Sequence, residues 1–362
     1  MSLDPAWPPG FETLIDLVQH YSPTDAESAA VAWLVERMRG LGFTRVSSDE
    51  VGNAVGVMGD GERQVVLLGH IDTVPGEIPV RLEGEALYGR GTVDAKGPLA
   101  AFVDAVADVG AIEGWQWVVI GAVDEEGDSR GAHHIVDRYR PEAVIVGEPS
   151  RWDRVTLGYK GSAWTSVTVR RPMAHSALPG QSACEAAVAF WQALLQHTAA
   201  INQDRQRAFD QIAPSLRGWS SGEDGFETWA TLRLGARLPP GVAPEDWLAQ
   251  LRQIDPQAEV EADGFAVAAY RGEKNTPLTR AFLRSIRALG GEPAFVLKTG
   301  TADLNLVAPR WGCPALAYGP GDSTLDHTPH EHVLLAEYER ARRVLVGVLR
   351  LLADGDPSQA RR

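Results

Sequence analysis

Three short, uninterrupted apolar runs rich in β-branched residues, Val65-Val66-Leu67-Leu68, Trp117-Val118-Val119-Ile120 and Ala143-Val144-Ile145-Val146, are bounded by turn residues. That is the pattern of strands buried on both faces. Such strands need helices above and below, and residues 97–109, between the first two runs, read as one. The alternation predicts an α/β domain on a mostly parallel sheet. Residues 24–38 add an amphipathic helix, with Thr24 and Glu27 as a capping box and Val31, Leu34, Val35 and Met38 on one face.

After residue 158 the texture changes. Residues 163–169 and 228–238 alternate apolar and polar, as strands with one exposed face do, and residues 182–197 and 244–254 read as amphipathic helices. The order strand, helix, two strands, helix, strand fits a ferredoxin-like α+β layer. From residue 273 helix and buried strand return, with Ala315-Leu316-Ala317-Tyr318 before the turn Gly319-Pro320-Gly321. Residues 159–272 are therefore expected to be an insertion, and 1–158 with 273–362 to form one domain around it. A length of 362 residues suits two domains, and 44% apolar with 23% charged residues is ordinary for a globular chain. The formal charge of -14 argues against nucleic acid and anionic membranes as partners. Only Cys184 and Cys313 are present, without a CxxC pair, so reduced, buried thiols are expected rather than a disulfide or thiolate site. The opening residues lack a basic start followed by an apolar core, and no run approaches the roughly 20 apolar residues that span a bilayer, so a cytoplasmic location is expected. The polar stretch 353–362 is expected to fray.

Chemistry collects where the strands stop. In open α/β sheets the carboxyl ends of strands face a crevice lined by loops. The first run continues into Gly69-His70-Ile71-Asp72, which puts His70 and Asp72 on one side of an extended backbone. One can bind a metal while the other orients the imidazole, and Asp72 suits the orienting role. Gly91-Thr92-Val93-Asp94-Ala95-Lys96-Gly97 places a carboxylate in a glycine-rich turn before a helix, without the order of a phosphate loop. The second run leads to Asp124-Glu125-Glu126-Gly127, three acids whose crowding is costly unless cations compensate it. The third leads to Gly147-Glu148-Pro149, and Gly319-Pro320-Gly321-Asp322 to His327-Thr328-Pro329-His330-Glu331. Nitrogen and oxygen donors without thiolate favour zinc, with cobalt or manganese able to use the same set. His330 and His332 are read as exposed loop residues beside His327.

These segments, in this order and across nearly the whole chain, resemble the M20 family of metallopeptidases and deacylases. The resemblance implies a di-metal hydrolase domain carrying an inserted lid and dimerisation domain. It implies one divalent ion on His70, Asp94 and Glu148 and a second on Asp94, Glu126 and His327, with Asp94 bridging. It implies Glu125 as the general base that takes a proton from the attacking water and passes it to the leaving amine, and a cis peptide after Asp94. Met173-Ala174-His175-Ser176-Ala177 is similar to the family segment whose histidine stabilises the oxyanion, sometimes in the partner subunit, which assigns that role to His175 and makes a homodimer the expected assembly. Arg237 is similar to the lid-domain arginine that grips a substrate carboxylate.

Within the family, Asp94-Ala95-Lys96-Gly97-Pro98-Leu99, residues 298–305 and Gly319-Pro320-Gly321-Asp322-Ser323 are most similar to hydrolases that end carrier-protein routes of lysine or ornithine synthesis. These free the amino acid from the γ-carboxyl of the terminal glutamate of LysW, a small acidic carrier. That subgroup implies LysW as partner and makes Lys298 and Asn305 substrate-facing. Related members remove acetyl from ornithine or succinyl from diaminopimelate. A non-catalytic, metal- or partner-binding homologue is the alternative of another class, and the retention of Glu125 with all five presumed ligands speaks against it.

Overall fold

The computed structural model describes residues 7–175 and 180–355. It divides into two compact units, one of Met1–Gly158, Gly272–Val296 and Ala302–Arg362, the other of Tyr159–Arg271 and Leu297–Thr301. The first unit opens with α1 (Glu12–Gln19), α2 (Ser28–Gly40), β1 (Arg45–Ser48), β2 (Ala54–Met58), β3 (Arg63–His70), β4 (Arg81–Glu83) and β5 (Ala86–Tyr88). It continues with α3 (Lys96–Val109), β6 (Trp115–Ala122), α4 (Arg130–Ile135), β7 (Ala143–Gly147) and β8 (Arg154–Tyr159). The chain then runs through β9 (Gly161–Pro172), α5 (Ala183–Asn202), β10 (Ala213–Glu223), β11 (Glu227–Leu238), α6 (Pro244–Ile254), β12 (Glu259–Ala262) and β13 (Tyr270–Arg271). It closes with α7 (Pro277–Ala288), β14 (Ala294–Lys298), α8 (Leu304–Trp311), β15 (Ala315–Ala317), β16 (His332–Leu334) and α9 (Leu335–Ala353).

In the first unit the sheet runs β1-β2-β6-β3-β7-β15-β8. Its centre, β6, β3, β7 and β15, is parallel, and the flanking pairs β1/β2, β2/β6 and β15/β8 are antiparallel. The apolar runs of the sequence are these central strands, and every residue of β7 and the last six of β3 are buried. Helix α3 packs on β3 and β7 and in turn against α9 and α1. Two glycines permit its close approach: a Cβ on Gly69 would stand 3.1 Å from Leu99 Cβ, and one on Gly147 would stand 2.9 Å from Phe102 Cε2. The start of α3 is thereby set against the carboxyl ends of β3 and β7.

The second unit is an antiparallel sheet in the order β10-β11-β9-β12, with α5 and α6 packed on it. Its core joins Val167, Val169, Phe190, Leu194, Leu232 and Trp247. Helix α5 begins on a capping box in which Ser182 and Glu185 exchange bonds with each other's backbone N–H.

Three readings need correction. Helix α2 starts at Ser28, with Glu27 at its N-cap making no side-chain capping bond. The Thr24 hydroxyl instead donates to Asp72 Oδ2 at 2.9 Å, and the backbone at Pro23 forms an isolated bridge with Thr73, so the segment before the helix is tied to the loop that follows β3. Cys184 is exposed rather than buried, because the inward face of α5 is set by Ala183, Ala187, Phe190 and Leu194. His330 lies exposed in a loop, whereas His332 opens β16 and stacks on Tyr88 with ring centroids 4.7 Å apart. Ser176, Ala177 and residues 356–362 lie outside the described residues.

Candidate metal centre

The carboxyl ends of β3, β6 and β7 deliver His70, Glu126 and Glu148, the turn between β5 and α3 delivers Asp94, and the loop between β15 and β16 delivers His327. His70, the last residue of β3, points Nε2 at Asp94 Oδ1, 3.2 Å away, while its Nδ1 lies 2.9 Å from the Asp72 carbonyl oxygen and 3.5 Å from Asp72 Oδ1. Asp94 is the turn before α3, and its peptide bond to Ala95 is cis. His327 Nε2 lies 3.0 Å from Asp94 Oδ2 and 2.9 Å from Glu126 Oε1. Two ligand groups result, His70 with Asp94 and Glu148, and Asp94 with Glu126 and His327, each with its donor atoms within 4.8 Å of one another. Asp94 belongs to both.

Electrostatics test whether these residues fit cations. Burial, with Asp94 and other neighbouring acids, pushes the Glu148 carboxyl well above the usual range. Burial also raises Glu126, and raises Glu125 strongly with help from Glu148, Asp303 and Glu126. The imidazoles respond to the same excess of negative charge. Bonds to Asp94 and Glu126 lift His327 to about 10, and His70, although burial opposes its charge, is held well above the ordinary value by Asp72, Asp94 and Glu125. Burial also opposes ionisation of Asp94, yet the two imidazoles keep its carboxyl below the usual range. A cluster buried at His70 and Glu148 and open at His327 that recruits protons in this way is one that dications suit. Asp124 and His327 adopt left-handed backbone (φ 67° and 60°), a conformation uncommon outside glycine that concentrates at working sites.

The residues around the ligands do more than their sequence positions suggest. Besides facing His70, the Asp72 carboxylate accepts the backbone N–H groups of Glu125 and Glu126, both at 3.1 Å, and the Thr24 hydroxyl. It therefore fixes the acidic loop as well as the imidazole. Glu331, given no role in the sequence, is fully buried; its Oε1 accepts from the N–H groups of Gly91, Val93 and Asp94, and its Oε2 pairs with Arg90 at 2.8 Å. The signal was present in the His327-to-Glu331 segment, but its partner lies some 240 positions away. Asp303, at the N-cap of α8, is also buried, and burial raises its carboxyl to about 7. Asn305 is buried in α8, its Oδ1 accepting from the Ala302 N–H at 3.1 Å. In the second unit His175 is exposed, Arg237 donates to the Thr301 hydroxyl, and Lys298 ends β14, its carbonyl accepting from the Lys160 N–H.

A parallel sheet whose strand ends and adjoining loops gather two histidines, three carboxylates and a neighbouring glutamate defines the class of a metal-centred hydrolase. The chain belongs to peptidase family M20/M25/M40, whose model matches residues 66–351. It is 43% identical over 338 residues to the [LysW]-lysine hydrolase of Deinococcus radiodurans, a match covering 91% of this chain and 93% of that one. Its fold is also that of a Staphylococcus aureus tripeptidase (TM-score 0.78, 19% identity, 95% and 98% of the two chains). It is likewise that of a dinuclear metal-binding M20 peptidase of Bacillus subtilis (TM-score 0.70, 11% identity, 95% and 98%). Among the described residues no helix is long and apolar enough to cross a membrane.

Proposed function

We propose that this chain is a cytoplasmic, zinc-dependent amidohydrolase that releases lysine, or ornithine, from the terminal glutamate γ-carboxyl of a LysW-type carrier. The observation that carries the hydrolase reading is Asp94 shared by two ligand groups, with Glu125 beside them. The relative's name and the 91% coverage support the substrate. His70, Asp94 and Glu148 would hold one ion and Asp94, Glu126 and His327 the other; the nitrogen and oxygen donors suit zinc, with cobalt or manganese as substitutes. Bound there, such ions polarise a carbonyl and acidify water.

The chain's own residues do the rest. The Glu125 carboxylate takes a proton from the attacking water and returns it to the departing lysine amine, so that the amide C–N bond breaks as the glutamate carboxylate forms. Asp72 holds the His70 ring and the backbone of Glu125 and Glu126 in register for that transfer. We assign His175 to the oxyanion, Arg237 to the substrate carboxylate, and Lys298 and Asn305 to the carrier's amino-acid end, and we infer a homodimer; the sequence resemblance supports each of these. The deciding experiment incubates metal-loaded protein with LysW carrying γ-glutamyl-linked lysine, beside acetylornithine and succinyl-diaminopimelate, and follows released amino acid by mass spectrometry. Lysine release by wild type and not by Glu125→Gln is expected. Cleavage of only a small acylated substrate overturns the carrier assignment, and no release from any overturns the hydrolase.

A further inference from the structure

The loop 124–129 carries both Glu125 and Glu126, and both of its ends are left-handed, with φ 67° at Asp124 and 53° at Ser129. Neither residue is a glycine, and non-glycine backbone persists in that region only where the surroundings over-determine it. The middle of the loop is held by the Asp72 carboxylate, which accepts the N–H groups of Glu125 and Glu126. Its ends are held by a single side chain. Asn53, fully buried, stands one residue before β2 in the β1–β2 turn. Strand β2 pairs antiparallel with β6 as far as Ala54 opposite Gly121. Past that step the Asn53 side chain takes over from the backbone ladder, its Oδ1 accepting the Val123 N–H at 3.0 Å. Its Nδ2 donates to the Gly131 carbonyl at 3.1 Å, and the Gly131 N–H donates to the Val123 carbonyl at 3.1 Å. Val123 follows β6 and Gly131 lies in the first turn of α4, so one amide closes the neck of the acidic loop. Asp49 fixes which way that amide faces. Its Oδ2 accepts the other Nδ2 hydrogen at 2.8 Å, and because a carboxylate oxygen only accepts, Oδ1 is left for Val123. Asp49 is itself anchored, its Oδ1 accepting the N–H groups of Val51, Gly52 and Asn53 at 3.1, 3.0 and 2.9 Å. Position 131 requires glycine: a Cβ there would stand 2.4 Å from Asn53 Oδ1 and 2.6 Å from the Val123 carbonyl oxygen.

We propose that Asn53 is a positioning residue: by closing the neck of the acidic loop it aims Glu126 at its ion and Glu125 at the attacking water. The part that concerns Glu125 rests on the proposed hydrolase reaction; the part that concerns Glu126 rests on the ligand geometry alone. The effect is selective, because His70, Asp94 and Glu148 stand on other segments. Loss of the Asn53 amide leaves the buried Val123 N–H without its acceptor and lets the loop open at its neck, while the group of His70, Asp94 and Glu148 keeps its own supports. Replacing a residue that orients a metal ligand typically costs about 10–100-fold in metal affinity or activity.

Calorimetric titration of the chelator-treated protein with zinc tests this, using Asn53→Leu, which keeps the size of the side chain and removes its acceptor and both donors. One ion per chain is expected to bind as in wild type and the other about 10–100-fold more weakly. Hydrogen exchange followed by mass spectrometry is expected to quicken over residues 123–131 and to stay unchanged over 65–72. In lysine release from the carrier, kcat is expected to fall by about the same 10–100-fold with KM unchanged. Asp49→Ala, which leaves the Asn53 amide in place but frees it to turn, is expected to act in the same direction with a smaller effect, and it decides where Asn53→Leu does not fold. Wild-type affinity for both ions in the folded variant overturns the proposal, as does a wild type that takes up fewer than two ions. Equal weakening of both ions overturns it too, since that is the result of a merely structural role. The two readings fail separately: selective loss of one ion in a chain that releases no amino acid sinks the hydrolase and keeps Asn53 as the support of Glu126, whereas normal release with both affinities intact in the variant sinks Asn53 and keeps the hydrolase.

Discussion

Glu125 and Glu126 are neighbours in the chain with different duties, and substitution should separate them. Glu125→Gln is expected to lower kcat by about 10²–10⁴-fold with metal content unchanged, because the amide cannot carry the proton; a variant that keeps wild-type turnover removes Glu125 from the mechanism. Glu331 acts at one remove. Replacement by Gln deprives Arg90 of its buried partner and weakens the support of the Gly91, Val93 and Asp94 amides. Breaking a buried pair costs about 3–5 kcal/mol, so urea denaturation of Glu331→Gln should show a loss of that order together with reduced metal occupancy. Lys160 supplies a pH signature in the second unit. Burial, with Arg237 and Arg205 nearby, lowers its ammonium from 10.5 to about 8. Between those values the unfolded chain holds a proton that the folded chain has released, so this group makes stability rise with pH from about 8 to 10.5. The slope should vanish in Lys160→Met; an identical pH–stability profile for the two proteins would falsify the assignment.

At the scale of elements, what was legible depended on how local the cause is. The run 244–254 is α6 to the residue, because a proline at the first helical position and an amphipathic repeat are properties of that segment alone. The start of α2 was misread because the Thr24 hydroxyl has a partner 48 positions away, which no capping rule can see. The same division runs through the site. His70, Asp94, Glu125, Glu126, Glu148 and His327 announce themselves by chemistry at strand ends, whereas the supports Glu331 and Asp303 look like ordinary loop acids until the fold brings them in. Gly69 and Gly147 stand beside candidate ligands in the sequence, but their function is to admit α3. Gly147→Ala places a methyl against Phe102 and the Gly69 backbone, and overpacking of this kind costs about 1–3 kcal/mol. Chemical denaturation should register that loss; an unchanged midpoint would show that α3 can retreat without penalty.

For the whole molecule, the five candidate ligands come from both ends of the chain and meet only in the first unit. Ions held there bind the folded chain alone, which stabilises it by about 2.7 kcal/mol at a hundredfold excess over Kd. Dialysis against a chelator is therefore expected to lower the calorimetric transition temperature, and readdition of zinc to restore it. An unaltered transition after complete metal removal would mean that these residues hold no ion in the native protein. Strand β15 carries a different consequence. It fills the gap between β7 and β8, yet it is made more than 150 residues after them. During synthesis residues 159–271 emerge complete while the middle of the other sheet still lacks a strand, leaving the edges of β7 and β8 open to wrong pairings. The nascent chain thus passes through that interval with four of its five candidate ligands already synthesised and nowhere to close, which makes ribosome-associated chaperones and slow translation before residue 315 the conditions on which its yield should turn.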